Sequence, residues 1–385
     1  MTSTERSGPE GLPGPDVAIR LTGVEKRFPG ASSPAVTSLD LTVPVGRIVT
    51  FVGPSGCGKT TTLKMINRLI EPTSGTIEVL GVDIRALKKS ELRRQIGYVI
   101  QQIGLFPHKT VAANIATVPK LLGWDKQSIA GRVDELVDLL GLEREMLDRY
   151  PAELSGGQQQ RVGVARALAA DPPILLMDEP YSAVDPIVRG RLQDELLALQ
   201  RRVRKTIVLV THDIDEAIKL GDEVVLFQVG GIVAQQGPPA EVLAAPASPF
   251  VEEFLGKERG LKRLSLLRVG DVPLTTGWAV EADAPPSEAL AVMAANALEW
   301  IGVRRGDEIL GWAWGKELEG LPRVGDAPLH DFLAEVRADT PLRETLDGIV
   351  NSRTRVAVVK DPDDRYLGMI TVADISEGIA GEQES

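Results

Sequence analysis

The chain has 385 residues, 43% of them hydrophobic and 25% charged, an ordinary composition whose length calls for about two or three domains. A net charge of -11 excludes a general affinity for nucleic acid, which needs a basic face, and no apolar run reaches the roughly 18 residues of a membrane-crossing helix. The single cysteine, Cys57, excludes an intrachain disulfide and fits a reducing compartment.

Residues 1–16, MTSTERSGPEGLPGPD, are polar and rich in Gly and Pro, lack the apolar segment of a secretory signal, and read as a flexible leader. From Val17 to about Gly237, short β-branched runs alternate with helical stretches: IVTFV (48–52), PILLM (173–177), TIVLV (206–210) and EVVLF (223–227). Such runs predict buried parallel strands between amphipathic helices, and so an α/β fold with a mostly parallel central sheet. The Pro- and Ala-rich stretch 237–249 marks the approach to a boundary. KERGLKRLSLLR (257–268) then carries five basic residues and one acidic one, and predicts a solvated linker helix. From Lys257 onward the net charge is -8, so most of the acidity belongs to the C-terminal third. Two units of similar layout close the chain, at about 270–321 and 324–381, each reading as helix, strand, turn, strand, helix.

The segment GPSGCGKT (53–60) sits between a strand-like and a helix-like run, the context a phosphate-binding loop requires. Gly53, Gly56 and Gly58 let consecutive N–H groups turn toward a phosphate, and the following helix offers its positive end. Lys59 can reach the β and γ oxygens, and the Thr60 hydroxyl can ligate Mg²⁺. Asp178 ends the strand ILLMD, where a carboxylate can hold the metal through water, and Glu179 can orient or deprotonate the attacking water. His212 follows another strand, on the carboxyl edge where ligands bind in α/β sheets. LSGGQQQR (154–161) opens a second helix with a Ser-Gly-Gly turn, a second anion cradle. Two cradles in one chain fit a head-to-tail dimer, each chain closing its second cradle over the γ-phosphate held by the other.

Over roughly Val17 to Phe254 these residues resemble the nucleotide-binding subunits of ABC transporters, which combine a phosphate loop, LSGGQ, DEP, an SAVD-type loop and THD in this order. The resemblance implies ATP and Mg²⁺ as ligands, with Gly53, Ser55, Gly56, Cys57, Gly58, Lys59, Thr60 and Thr61 around the phosphates. It implies that Phe28 stacks on adenine, and that Gln101, with Gln102 as the fallback register, senses the γ-phosphate and metal. Thr60, Gln101 and Asp178 would hold Mg²⁺, while Glu179, His212 and Gln101 would serve catalysis. Ser155, Gly156, Gly157 and Gln158 would act in trans, and Asp185 would communicate across the dimer. The helical subdomain bearing LSGGQ would span about 100–170, and antiparallel strands would precede the core, in an ATPase domain of 17–256 followed by a basic linker, 257–269.

The two C-terminal units resemble a tandem α+β pair of CBS domains. LGMITVADI (367–375) carries the pattern, with Thr371 and Asp374 as candidate ribose ligands; ILGWAWGKEL keeps Gly311 but lacks both, leaving the first copy degenerate. An importer-type ATPase followed by a CBS pair resembles the glycine betaine, carnitine and choline branch. That implies a homodimer on the cytoplasmic face of the cell membrane, with two permease subunits and an extracytoplasmic solute-binding protein. An importer for another solute, such as an amino acid, is the alternative; a soluble non-transport ABC ATPase fits less well, because the chain has one cassette and no long heptad insertion.

Overall fold

A computed structural model describes residues 16–101, 104–182 and 184–381; the leader up to residue 15 and Gln102 lie outside the described residues. The chain divides into two compact units, one ending at Leu255 and the other beginning at Gly256.

The first unit runs through β1 (Val17–Lys26), β2 (Val36–Pro44), β3 (Ile48–Val52), α1 (Lys59–Ile66), β4 (Ser74–Val79), β5 (Val82–Asp83), α2 (Lys89–Arg94) and β6 (Ile96–Val99). The helical stretch follows with α3 (Val111–Ile115), α4 (Thr117–Leu121), α5 (Lys126–Leu139) and α6 (Gly156–Leu168). Then come β7 (Ile174–Asp178), α7 (Pro186–Val203), β8 (Thr206–Val210), α8 (Ile214–Leu220), β9 (Glu223–Gln228), β10 (Ile232–Gly237), α9 (Pro239–Ala244) and α10 (Pro249–Leu255).

β1 and β2 alternate buried and exposed residues, as strands with one wet face do, and pair antiparallel in a sheet of order β2-β1-β4-β5. β3, β7 and β8 are buried at every position, which is why their sequences are near-continuous apolar runs. They lie inside a six-stranded sheet of order β10-β9-β3-β8-β7-β6, parallel except for the β9–β10 hairpin. That order sets the carboxyl ends of β3, β8, β7 and β6 side by side. The Pro- and Ala-rich stretch is part of this unit, because Pro239, Val242 and Leu243 on α9 are buried.

The second unit contains α11 (Arg259–Leu264), β11 (Ala279–Glu281), α12 (Pro286–Ala295), β12 (Trp300–Arg305) and β13 (Glu308–Trp314), then β14 (Glu335–Arg337), α13 (Leu342–Asn351), β15 (Val356–Lys360), β16 (Tyr366–Thr371) and α14 (Val372–Gly381). Each repeat forms its own three-stranded sheet, β11-β12-β13 and β14-β15-β16. The predicted helix, strand, turn, strand, helix order therefore needs correction: a short parallel strand precedes the first helix of both repeats, and the first repeat ends in a 3-10 turn at Gly315–Leu318 instead of an α-helix. The linker also differs from expectation. Lys262 and Arg263 are buried rather than solvated, because Leu264 anchors α11 in the apolar cluster of Leu342 and Ile349.

The sequence RVGD occurs twice, at Arg268–Asp271 and Arg323–Asp326, and each copy packs on the sheet of the other repeat. In the first, Val269 and Gly270 donate to the carbonyls of Thr340 and Ala338 at 3.0 and 2.8 Å; in the second, Val324 and Gly325 donate to those of Ala284 and Ala282 at 3.0 and 2.7 Å. Val269 accordingly joins the core of the second sheet and Val324 that of the first. The exchange continues beyond the turns, where Thr275 pairs with Met369 and His330 with Trp312 through reciprocal backbone bonds.

Candidate active site

The phosphate loop is shaped by what its glycines leave room for. Gly53 has φ +150°, and a Cβ there would meet the Phe227 carbonyl oxygen at 2.3 Å; Gly58 has φ +111°, and its Cβ would meet the Ala35 carbonyl oxygen at 2.7 Å. Only a residue without a side chain lets the loop lie this close to its neighbours. Cys57 is fully buried beneath the loop, a packing residue. The loop encloses a cradle of about 190 Å³ lined by Ser55, Gly56, Cys57, Gly58, Lys59, Thr60, Thr61 and Glu179. Lys59 is buried and lies back on its own loop, donating to the carbonyls of Gly53 at 2.6 Å and Pro54 at 3.0 Å.

β7 delivers Asp178 and Glu179 beside this cradle. Thr60 Oγ1 donates to Asp178 Oδ1 at 2.8 Å. Burial, with Glu179 adjacent, holds the Asp178 carboxyl above its ordinary range against the opposing pull of Thr60 and Lys64. Tyr98 on β6 lies against the same carboxylate, and burial raises its phenol so that it stays un-ionised. Glu179 takes a left-handed backbone, φ +45°, an unusual state for a residue with a side chain. Its Oε2 accepts from Gln101 Nε2 at 3.0 Å and lies 3.3 Å from His212 Nδ1. Five of the sequence-derived residues, Thr60, Gln101, Asp178, Glu179 and His212, thus form one linked group.

A magnesium ion carried with a nucleotide keeps most of its waters and takes one or two protein oxygens besides phosphate. The Thr60 and Asp178 oxygens, already at hydrogen-bond distance, suit that demand. No group of three or more His, Cys, Asp or Glu that could form a closed protein cage occurs among the described residues.

The remaining predicted residues lie elsewhere. Phe28, after β1, is 39% exposed and so is no core residue; Lys26 Nζ stands 5.1 Å over its ring. Ser155 caps α6 in a reciprocal capping box, accepting from Gln158 N at 3.3 Å while Gln158 Oε1 accepts from Ser155 N at 2.9 Å. Gly156 and Gly157 form the first turn of that helix, and no residue of the signature turn lines the cradle among the described residues. Asp185 caps α7 by accepting from Ile187 N at 3.0 Å.

In the second unit, Thr371 and Asp374 meet at the head of α14. Asp374 Oδ2 accepts from the Thr371 amide and hydroxyl, both at 2.8 Å, and from Thr275 Oγ1 at 3.4 Å. The first repeat reproduces this with other residues: Glu317 Oε2 accepts from the Trp314 amide at 2.9 Å and lies 3.2 Å from His330 Nε2. That amide bond, with His330 nearby, holds the Glu317 carboxyl below its ordinary range.

Two features escape the sequence. Glu216 on α8, only 7% exposed, accepts from the Thr211 hydroxyl at 2.7 Å, and burial pushes its carboxyl up to about 7. Arg189 on α7 donates to the Val184 carbonyl at 3.3 Å and stands 3.7 Å from Asp213, the cap of α8, so the Asp185 loop and the His212 loop share a partner. The available signal was the acid four residues after His212, which only tertiary burial makes unusual.

The fold and the linked group define a P-loop nucleoside triphosphatase. A family model described as ABC transporter matches residues 36–182, and one described as CBS domain matches residues 324–381. The osmoprotectant import ATP-binding protein OsmV of Salmonella typhimurium is 46% identical over 92% of this chain and 94% of its own length. The glycine betaine/carnitine/choline transport ATP-binding protein OpuCA of Bacillus subtilis is 45% identical over 95% of this chain and 98% of its own. Among solved structures, the dimeric MJ0796, a bacterial ABC transporter cassette, is 33% identical with a TM-score of 0.52, over 57% of this chain and 98% of that one. The chain belongs to the ATP-binding subunits of ABC transporters, and it is an ATP hydrolase. No helix among the described residues is long and apolar enough to cross a membrane.

Proposed function

We propose that this chain is the ATPase of an importer for a quaternary amine osmolyte such as glycine betaine, carnitine or choline. The observation that carries the reading is similarity at 45–46% identity along nearly the whole chain, both units included, to ATP-binding proteins named for such cargo. On this reading two copies work head to tail on the cytoplasmic face of the cell membrane, beside two permease subunits and an extracytoplasmic solute-binding protein.

Each chain holds ATP through its phosphate loop, with Phe28 against the adenine. Lys59 leaves the Gly53 and Pro54 carbonyls for phosphate oxygens, exchanging neutral acceptors for charged ones and gaining strength. Thr60, Asp178 and Gln101 would hold Mg²⁺, which when bound supplies charge neutralisation on the transferring phosphoryl group. Glu179, oriented between Gln101 and His212, draws a proton from the attacking water, and His212 supports the γ-phosphate. Ser155 through Gln158 close over that phosphate from the opposite chain, and Asp185 reports the closure.

The CBS pair gates this cycle, with Thr371 and Asp374 as its nucleotide-binding candidates. Lys257 and Arg268, the exposed basic residues of 257–268, belong to an acidic unit and give contacts whose strength follows ionic strength, since screening acts over about 8 Å at physiological salt.

The test is uptake of radiolabelled glycine betaine at varied osmolarity, in cells lacking other betaine systems and carrying wild-type or Glu179→Gln protein. Osmotically stimulated uptake lost in the variant supports the reading. Uptake no higher than in cells without the protein, with the protein expressed, rules out betaine as cargo.

A further inference from the structure

Glu216, on α8, is only 7% exposed, and its Oε1 is buried without a hydrogen-bond partner. A neutral side chain of the same shape would spare the fold the burial of a carboxylate, so stability does not account for the residue.

Its other oxygen has a specific place. Glu216 Oε2 accepts from the Thr211 hydroxyl at 2.7 Å, and that same hydroxyl accepts from the Asp213 amide at 3.0 Å. The Thr211 amide in turn donates to the Phe51 carbonyl of β3 at 3.0 Å. The residues on both sides of His212 are thereby fixed, whereas the His212 side chain is itself 58% exposed and takes its place from them. The groups that face Glu216 are Asp213 and His212 of this turn, Arg189 of α7, and Tyr181 of the segment between β7 and α7. Arg189 is the permanent cation among them, and it draws the carboxyl toward its ionised form against the pull of burial.

We propose, on the reading of His212 as the support of the γ-phosphate, that Glu216 is a positioning residue for ATP hydrolysis, holding the His212 turn against Glu179 through the Thr211 hydroxyl. The hold tightens when the carboxyl ionises, because a hydrogen bond to a charged acceptor is roughly twice as strong as one to a neutral acceptor. That ionisation falls at a pH of about 7.

The test is ATP hydrolysis by the full chain over about two pH units on either side of that value, with every variant assayed below its unfolding transition. Gln keeps a neutral acceptor for Thr211 at every pH, so the ratio of wild-type to Glu216→Gln kcat should rise from near unity at the acid end to about five-fold at the alkaline end. Thr211→Val, which lacks the hydroxyl, should lower kcat about 10–100-fold with the KM for ATP unchanged, and Thr211→Ser, which keeps it, should restore the rate. A ratio that stays flat with pH overturns the proposal, whatever becomes of Thr211→Val, and so does a loss shared equally by the Val and Ser variants. His212→Ala is the control. Hydrolysis lost there while the ratio stays flat leaves the role of His212 standing and removes Glu216 alone; hydrolysis unchanged there removes His212, and with it the group that Glu216 positions.

Discussion

The side-chain amide of Gln101 donates to Glu179 Oε2 across 3.0 Å, tying the segment after β6 to the residue that follows β7. His212 approaches the same oxygen at 3.3 Å, so loops following three neighbouring strands converge on one carboxylate. Glu179 holds its place through a left-handed backbone that most residues avoid.

Glu179→Gln keeps the shape and both neighbours but cannot accept a proton. Phosphate release should fall by about 10²–10⁴-fold, the usual worth of a general base, while ATP binding persists. A phosphate-release assay beside nucleotide binding on the same preparation checks it; loss of binding would mean that Glu179 shapes the cradle instead.

Phe28→Ala should raise the KM for ATP about 3–10-fold with little change in kcat, because stacking is worth roughly 0.5–1.5 kcal/mol. The residue is exposed, so thermal stability should stay level. An unchanged KM would remove Phe28 from the adenine site.

Gly53→Ala and Gly56→Ala separate close approach from backbone strain. Both glycines have positive φ, but nothing lies within 4 Å of a Cβ at Gly56, whereas one at Gly53 meets backbone oxygen. Gly56→Ala should cost about 1–2 kcal/mol in denaturant unfolding. Gly53→Ala should cost more, on the order of 3 kcal/mol or above, since the clash is added. Equal losses would show that the Phe227 contact does not constrain the loop.

Glu216 makes stability depend on pH. Its carboxyl rises from 4.5 to about 7 on folding, so between those values the folded chain keeps a proton that the unfolded chain has released. Stability therefore falls as pH rises from 4.5 to about 7 and stays low above that window. Glu216→Gln, neutral and of the same shape, should be more stable than wild type by on the order of 2–3 kcal/mol near pH 8, with the gain vanishing toward pH 4.5. Parallel unfolding curves at both ends of the range test the sign.

Val269→Ala and Val324→Ala should each loosen the repeat to which they do not belong in sequence. Removing the buried methyls should cost about 1–3 kcal/mol. Amide exchange should quicken in β14, β15 and β16 for the first variant and in β11, β12 and β13 for the second. Exchange that quickens in the adjacent repeat instead would refute the crossed packing.

The nucleotide site was legible because its residues are bound to strand ends. IVTFV, ILLMD and TIVLV are dominated by apolar residues, and the residues at the end of each run must emerge on the carboxyl edge. The second unit read less well for a physical reason. β11 and β14 have three residues each, too few for a period of two to register, and their partners lie beyond intervening helices. For Lys262 and Arg263 charge alone predicts solvent, while the position of Leu264 decides which way α11 faces. Glu317 accepts the backbone bond that matches Asp374's as a different residue type, so no shared motif marks it in the sequence.

The crossed RVGD turns put the repeat that was copied and the body that folds out of phase by one segment. During synthesis the core around Val280 and Ile301 stays incomplete until Val324 has left the ribosome, although its own repeat is already complete in sequence. The second sheet, by contrast, closes on a turn that was made before any of its strands. A chain cut at the seam between the repeats would therefore yield two halves that each carry a piece of the other's core: Val269 of the second sheet's and Val324 of the first's.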